Sequence, residues 1–158
     1  MKKILILGLL LMLGACGFQL RGAAQLPFRS LYVDGGGSAL GVDLQRALRY
    51  GSNVKIAATP GEAQAVLQVL GESREKRILS IGSSGRVSEY VLFYRLSFRL
   101  HDGKGKELMP AQLLELKRDI SFSDAQVLAK EQEEAMLYRD MQNDAVQQII
   151  RRLNTVKI

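Results

Sequence analysis

The chain has 158 residues, 47% of them hydrophobic, and a formal net charge of +6. This length is enough for one domain with a hydrophobic core, and the modest basic excess suits anionic partners such as lipid phosphates. A single cysteine excludes a disulfide within the chain. With only one histidine besides, the ligands for a typical zinc site are also missing, so we predict no metal.

The first sixteen residues have the pattern of an export signal. Lys2 and Lys3 precede a short apolar run, which ends at Leu13-Gly14-Ala15-Cys16. The run is too short to span a bilayer, which takes about 20 apolar residues. A basic head, an apolar core and a small-residue cleavage site are typical of a secretory signal peptide. We therefore predict that residues 1–15 are removed after export. An ordinary signal peptide followed by an unrelated cysteine is the alternative.

Cys16 gives this signal a second meaning. The tetrapeptide Leu13-Gly14-Ala15-Cys16 resembles the lipobox of bacterial lipoproteins. That resemblance implies a diacylglycerol thioether and an N-acyl chain on Cys16, with no other cofactor, and two or more chains anchor a protein stably. Gly17 stands where an aspartate would imply retention in the inner membrane. The expected location is therefore the outer membrane, on its periplasmic side, where nucleic acid is no partner.

The next elements are short. Residues 16–27 are predicted to be a lipidated tether, and residues 28–158 a single domain. Leu31–Val33 is a strand candidate followed by a glycine-rich turn. A helix is predicted to begin at Ser38 or Gly41 and to end before Gly51, with leucines at helical spacing. Residues 54–56 form a brief strand candidate.

Three longer strands follow. Ala65–Leu70 is rich in β-branched and apolar residues, and the strand can continue to Ile81. Gly82–Gly85 reads as a loop. Ser88–Leu100 and Gln112–Phe122 alternate apolar and polar residues, the pattern of strands with one buried face. They are expected to be antiparallel neighbours.

A long helix is predicted to end the chain. Ser123 and Gln126 have the spacing of a capping box. An apolar stripe follows at helical spacing: Leu137, Tyr138, Met141, Ala145, Ile149 and Leu153. The elements together predict an α+β two-layer sandwich, in which two helices pack on one face of a mostly antiparallel (mixed) four-stranded sheet.

Catalytic chemistry has little support. His101 is the only histidine and lies in a glycine-rich turn beside Asp102. A Ser–His–Asp arrangement would make the protein a lipid-anchored hydrolase, whereas a solvated turn histidine is the simpler interpretation. We predict no catalytic residue.

Cations cluster in the strand region and its turns: Arg74, Lys76, Arg77, Arg86, Arg95, Arg99, Lys104 and Lys106. An amphiphile that carries phosphates and acyl chains needs cationic and apolar contacts together. The alternative is that these charges are solvated edge and turn residues, which also discourage aggregation of sheet edges.

Several segments together resemble the LptE (RlpB) family of lipopolysaccharide-assembly lipoproteins. They are Cys16–Gly22 at the predicted mature start, Ser88–Tyr90, Arg118–Phe122, Ala125–Glu134 with its Leu128-Ala129-Lys130 motif, and Gln148–Leu153. Each segment by itself is a weak sign of the family. Their order, together with the lipobox, makes the combination specific.

The resemblance implies a function. Proteins of this family bind the outer-membrane β-barrel LptD, help it to fold, plug it, and bind lipopolysaccharide. The family's ligand-binding lysine corresponds to Lys130. A second family cation corresponds to Ser83, so Arg86 is expected to replace it, with Arg77 as a further phosphate contact. A lipid-anchored periplasmic scaffold or inhibitor without a lipid ligand is the alternative.

Overall fold

A computed structural model describes residues 24–157. The predictions for the signal peptide, for Cys16 and for most of the tether therefore lie outside the described residues. Within residues 24–157, no helix is both long enough and apolar enough to span a bilayer. The elements are β1 (Ser30–Val33), α1 (Ala39–Gly51), β2 (Lys55–Ile56), β3 (Ala65–Ile81), β4 (Val87–His101), β5 (Glu107–Ser121) and α2 (Val127–Leu153), with 3₁₀ turns at Pro60–Glu62 and Asp124–Gln126.

The strands form one mixed sheet in the order β2-β1-β3-β4-β5. β1 is parallel to both β2 and β3, whereas β3, β4 and β5 are antiparallel neighbours. The sheet has five strands, so the predicted count of four is wrong. The additional strand is β2, which lies within the strand candidate at residues 54–56 but was left out of the count of four, because two residues are too few for a clear alternation. The mixed, mostly antiparallel sheet with two helices is confirmed.

The long strands extend well beyond β1. Along β3, only the first three residues, Ala65–Leu67, pair with β1. We call this the proximal end of the sheet, and the turn between Ile81 and Val87 the distal end. Apolar residues of β4 alternate toward the helices and are fully buried, namely Leu92, Tyr94, Leu96, Phe98 and Leu100. Within residues 24–157, the opposite face of the three long strands carries no helix, and we call it the helix-free face.

Helix α1 begins as the sequence predicts. The Ser38 hydroxyl accepts a hydrogen bond from the Gly41 amide at 3.0 Å and caps the helix. Leu40, Leu44 and Leu48 are buried beneath it. Gly41 lies against the preceding turn, because a Cβ atom there would be 2.4 Å from the carbonyl oxygen of Gly35. Only a residue without a side chain fits this contact.

Helix α2 carries the predicted apolar stripe but not the predicted capping box. The Ser123 side chain makes no cap hydrogen bond, and a 3₁₀ turn separates it from the helix, which begins at Val127. The capping-box prediction is therefore wrong. The 3₁₀ turn places Ser123 too far from the first helical amides.

A polar network joins both helices to the sheet. Gln142 of α2 is buried, and its side chain accepts from Arg74 of β3 at 2.8 Å and donates to Asp43 of α1 at 2.8 Å. Its amide therefore has partners on both sides, as a buried polar group requires. This network and the apolar stripe hold α2 across the sheet and fix where its first turns lie.

Candidate functional site

A groove lies at the distal end, between the first turns of α2 and the helix-facing side of the long strands. Its volume is about 230 Å³. Its lining residues are Lys76, Tyr90, Ile120, Ser121, Phe122, Val127, Lys130, Glu131 and Glu134. We call it the Lys130 groove.

Strand register brings the sheet side of this groove together. Tyr90 of β4 pairs with Ile78 of β3 and with Ile120 of β5. Its ring meets Phe122 edge to face, with 5.3 Å between the ring centroids. The Lys76 ammonium lies 4.3 Å from the centroid of the Tyr90 ring. This sheet wall of the groove is therefore aromatic and carries one cation.

Lys130 supplies the helix side. Its ammonium donates to the Ser121 hydroxyl at 2.9 Å and to the Glu133 carboxylate at 2.8 Å. Only 17% of its side chain is exposed. The groove therefore holds a partly desolvated cation in a fixed position, and such cations form the stronger charge-assisted contacts with anions.

Lys76 is the second cation of the groove. Its ammonium donates to the Glu134 carboxylate at 2.6 Å, and 34% of its side chain is exposed. Each lysine is thus balanced by a glutamate of α2. An anionic ligand would have to take the place of these carboxylates.

Arg86 lies at the same end of the molecule but does not line the groove. It follows the loop that contains Ser83, and its guanidinium pairs with Asp124 at 3.1 Å. The side chain is 75% exposed. The groove itself therefore gives no evidence that Arg86 replaces the cation missing at Ser83.

Arg77 lies on the opposite, helix-free face of the sheet. It pairs with the Glu75 carboxylate and stacks over Phe93, at 5.1 Å from the ring centroid. Arg95 reaches the same carboxylate at 2.5 Å and also pairs with Glu115. The hydrogen bonds from Arg77 and Arg95 hold the pKa of Glu75 below its ordinary value. Arg77 therefore belongs to a different cluster from Lys130.

Lys76 was missed as a site residue, although it was among the cations noted in the strands. Strand alternation alone does not say which residues of β3 face Tyr90. The short Gly82–Gly85 loop contains that information, because the length of a hairpin loop fixes the register of its strands. The register pairs Lys76 with Leu92, on the helix-covered face.

Exposed apolar side chains surround the distal end. Ile78, Leu79 and Ile81 are exposed at the end of β3. Leu128 and Met136 are exposed on α2 and are 77% and 63% accessible. Cationic and apolar contacts thus occur at one end of the molecule, the combination that an anionic amphiphile requires.

His101 does not have the neighbours of a catalytic histidine. Its Nδ1 lies 2.6 Å from the backbone oxygen of Asp102. The Asp102 carboxylate accepts instead from the backbone amides of Lys104 and Lys106, as in a turn. Within residues 24–157 no serine hydroxyl forms a hydrogen bond with the His101 ring. The hydrolase alternative therefore gains no support from the geometry.

Comparison with known proteins is consistent across sequence and structure. Residues 27–153 match the LptE family, which is described as lipopolysaccharide-assembly. An LPS-assembly lipoprotein LptE from Pectobacterium atrosepticum is 31% identical over 96% of this chain and 84% of its own length. One from Yersinia enterocolitica is also 31% identical, over 97% of this chain and 75% of its own length.

A solved structure shows the same fold. The solution structure of an uncharacterised lipoprotein B from Nitrosomonas europaea has a TM-score of 0.76 and 44% sequence identity. The match covers 87% of this chain and 90% of that protein.

Proposed function

The chain belongs to the LptE family of lipopolysaccharide-assembly lipoproteins, and we propose that it binds lipopolysaccharide in the Lys130 groove and acts as the partner of the LptD barrel. In this role it assists the folding of LptD and plugs its lumen. The acyl chains on Cys16 hold it at the periplasmic side of the outer membrane. The protein performs no catalysis in this account.

The observation that carries the ligand proposal is the environment of Lys130. Its ammonium is partly desolvated and fixed, and it lies beside Lys76 in one groove. Two exposed apolar residues adjoin that groove: Ile78 pairs with Tyr90 of its sheet wall, and Leu128 follows Val127 of its helix wall. Phosphates of lipopolysaccharide have cationic partners here, and its acyl chains have apolar surface nearby.

The LptD proposal is supported by family membership. The shape of the domain agrees with it, because a sheet with one bare face leaves a large surface for a partner. A periplasmic scaffold without a lipid ligand has no observation in its favour, and it is the outcome if the ligand test fails.

Direct titration of the purified mature protein with lipopolysaccharide tests the ligand proposal. We expect saturable binding that weakens as salt is raised, because the cations that contact phosphate lie near the surface. Absence of saturable binding at low salt would contradict the ligand proposal and favour the scaffold.

A further inference from the structure

We propose that Lys76 is the second phosphate contact of the Lys130 groove, and that Glu134 acts as an internal competitor that the ligand phosphate must displace. This inference rests on the proposed binding of lipopolysaccharide and adds to it the chemistry recognised, which is a phosphate monoester carried by an amphiphile.

Position is the first argument for Lys76. Within the described part of the chain, Lys76 and Lys130 are the two cations that line this groove, and they approach it from opposite walls. The ammonium of Lys76 rests on the Tyr90 ring at 4.3 Å and also lies 5.9 Å from the centre of Phe122. The two rings hold this ammonium group at the sheet wall of the groove.

Charge balance is the second argument. Glu134 and Glu133 each hold one of the two ammonium groups. A carboxylate carries one negative charge, whereas a phosphate monoester carries between about −1.5 and −2 at neutral pH and has three acceptor oxygens. A phosphate placed between the two walls would have enough charge and acceptor oxygens to replace both carboxylates, whereas Glu131, which also lines the groove, would oppose it.

The beginning of α2 adds favourable electrostatics. Val127 lines the groove, and no side chain caps the first turn of this 27-residue helix. The positive end of the helix dipole therefore lies close to an anion bound in the groove. The volume of about 230 Å³ is below the roughly 300 Å³ of a site that encloses a drug-sized ligand. The groove accordingly fits a phosphate group and its immediate attachment, with the rest of the amphiphile outside.

If Glu134 competes with the ligand, removal of its charge should strengthen ligand binding. Glu134→Gln keeps the shape of the side chain and removes its charge, so that Lys76 is released to the ligand. We expect affinity for bisphosphorylated lipid A to rise about two- to fivefold, as befits a partly exposed ion pair. Unchanged or weaker binding by a Glu134→Gln variant with an unaltered unfolding midpoint would overturn the competitor role.

The contact role is tested by Lys76→Met, which keeps the apolar stem of the side chain on Tyr90. We expect binding to bisphosphorylated lipid A to weaken about tenfold, because one charge-assisted contact is lost. Lys117→Met on the helix-free face and Glu107→Gln at the proximal end are matched controls, and both should bind as the unaltered protein does. Unfolding midpoints measured in parallel confirm that the variants fold.

Ligand variation identifies the recognised group. The unaltered protein should bind dephosphorylated lipid A at least tenfold more weakly, and inorganic phosphate should compete only at far higher concentration. Equal binding of the dephosphorylated lipid, or equally effective competition by inorganic phosphate, would overturn the proposed ligand class.

The outcomes separate this inference from the function on which it rests. If the unaltered protein binds lipid A and Lys130→Met weakens binding while Lys76→Met does not, the inference is wrong and the function stands. If the unaltered protein binds no lipopolysaccharide, both are wrong.

Discussion

Lys130 is more buried than most surface lysines and is held at its charged end. Its side chain is 17% exposed, and its ammonium has two internal partners, Ser121 and Glu133. Ordering a long flexible side chain costs free energy, up to roughly 2 kcal/mol for lysine. Here that ordering is already present in the free protein, so a ligand meets a preorganised cation.

Reversal of this charge should weaken ligand binding. Lys130→Glu places a carboxylate beside Glu133 and beside any ligand phosphate, so we expect affinity for lipopolysaccharide to fall about tenfold or more at low salt. Arg139→Glu changes the charge of the same helix by the same amount at an exposed position and serves as the control. Equal affinities of the two variants in a direct titration would remove Lys130 from the site.

Glu75 gives a prediction for pH dependence on the helix-free face. Arg77 and Arg95 lower the pKa of Glu75 in the folded protein from a reference value of 4.5. The folded state therefore favours the charged carboxylate. The resulting stabilisation is fully present above about pH 4.5 and is lost as the pH falls through the lower, folded-state pKa.

Glu75→Gln cannot lose this contribution because it does not titrate. The stability difference between the unaltered protein and the variant should therefore shrink as the pH falls from about 7 to about 3. Urea unfolding at several pH values measures it. A difference that stays constant over this range would show that the two arginines do not stabilise the charged form.

At the residue scale the sequence located one half of the groove. The Leu128-Ala129-Lys130 motif identified Lys130 by resemblance to a family. Arg77 was placed with it only because both are basic, and the structure puts them on opposite sides of the sheet. A list of cations contains no information on which face of a strand each one occupies, and register supplies it.

At the scale of elements, α1 lies in close backbone contact with the turn that precedes it. A Cβ atom at Gly41 would lie 2.4 Å from Gly35 O and 2.6 Å from the Cα of Gly36. Both are backbone atoms, so the helix itself must shift to accept a side chain. This contact sets where α1 begins and hence how Leu44 and Leu48 enter the core.

Gly41→Ala should therefore destabilise the fold by about 1–3 kcal/mol through overpacking, despite the higher helix propensity of alanine. Gly37→Ala is the matched control, because a Cβ atom there meets nothing within 4 Å. Urea denaturation of both variants gives the comparison. Equal stability of Gly41→Ala and the unaltered protein would contradict the close contact.

The elements themselves could largely be predicted. Alternation of apolar residues located β4 and most of β5, and leucines at helical spacing located α1. The start of α2 was misplaced because Ser123 and Gln126 match the capping-box spacing in a segment that forms a 3₁₀ turn. Residues 54–56 were recognised as a strand candidate but not counted in the sheet, because so short a strand depends on its pairing with β1 more than on its own pattern.

At the scale of the whole molecule, the first described residues and the groove lie at opposite ends of the sheet. Ala24 bridges to Ser52, and Leu26 is already buried near the proximal end. Lys76 is eleven residues beyond the start of β3, or roughly 35 Å along an extended strand.

The sequence predicts the general role of the protein better than it predicts a binding surface. The lipobox and the family segments are local patterns, and a sequence displays them directly. A surface such as the face around Phe93 and Arg95 is made from residues distant in the chain, and it exists only after β3, β4 and β5 pair.

The central claim is that this protein is the stable partner of LptD. The most direct test is purification of the affinity-tagged, full-length lipidated protein from outer membranes of its own organism, with LptD quantified in the eluate. The account predicts recovery of LptD in a one-to-one complex that withstands washing. Recovery of the tagged protein from the membrane without LptD would contradict it.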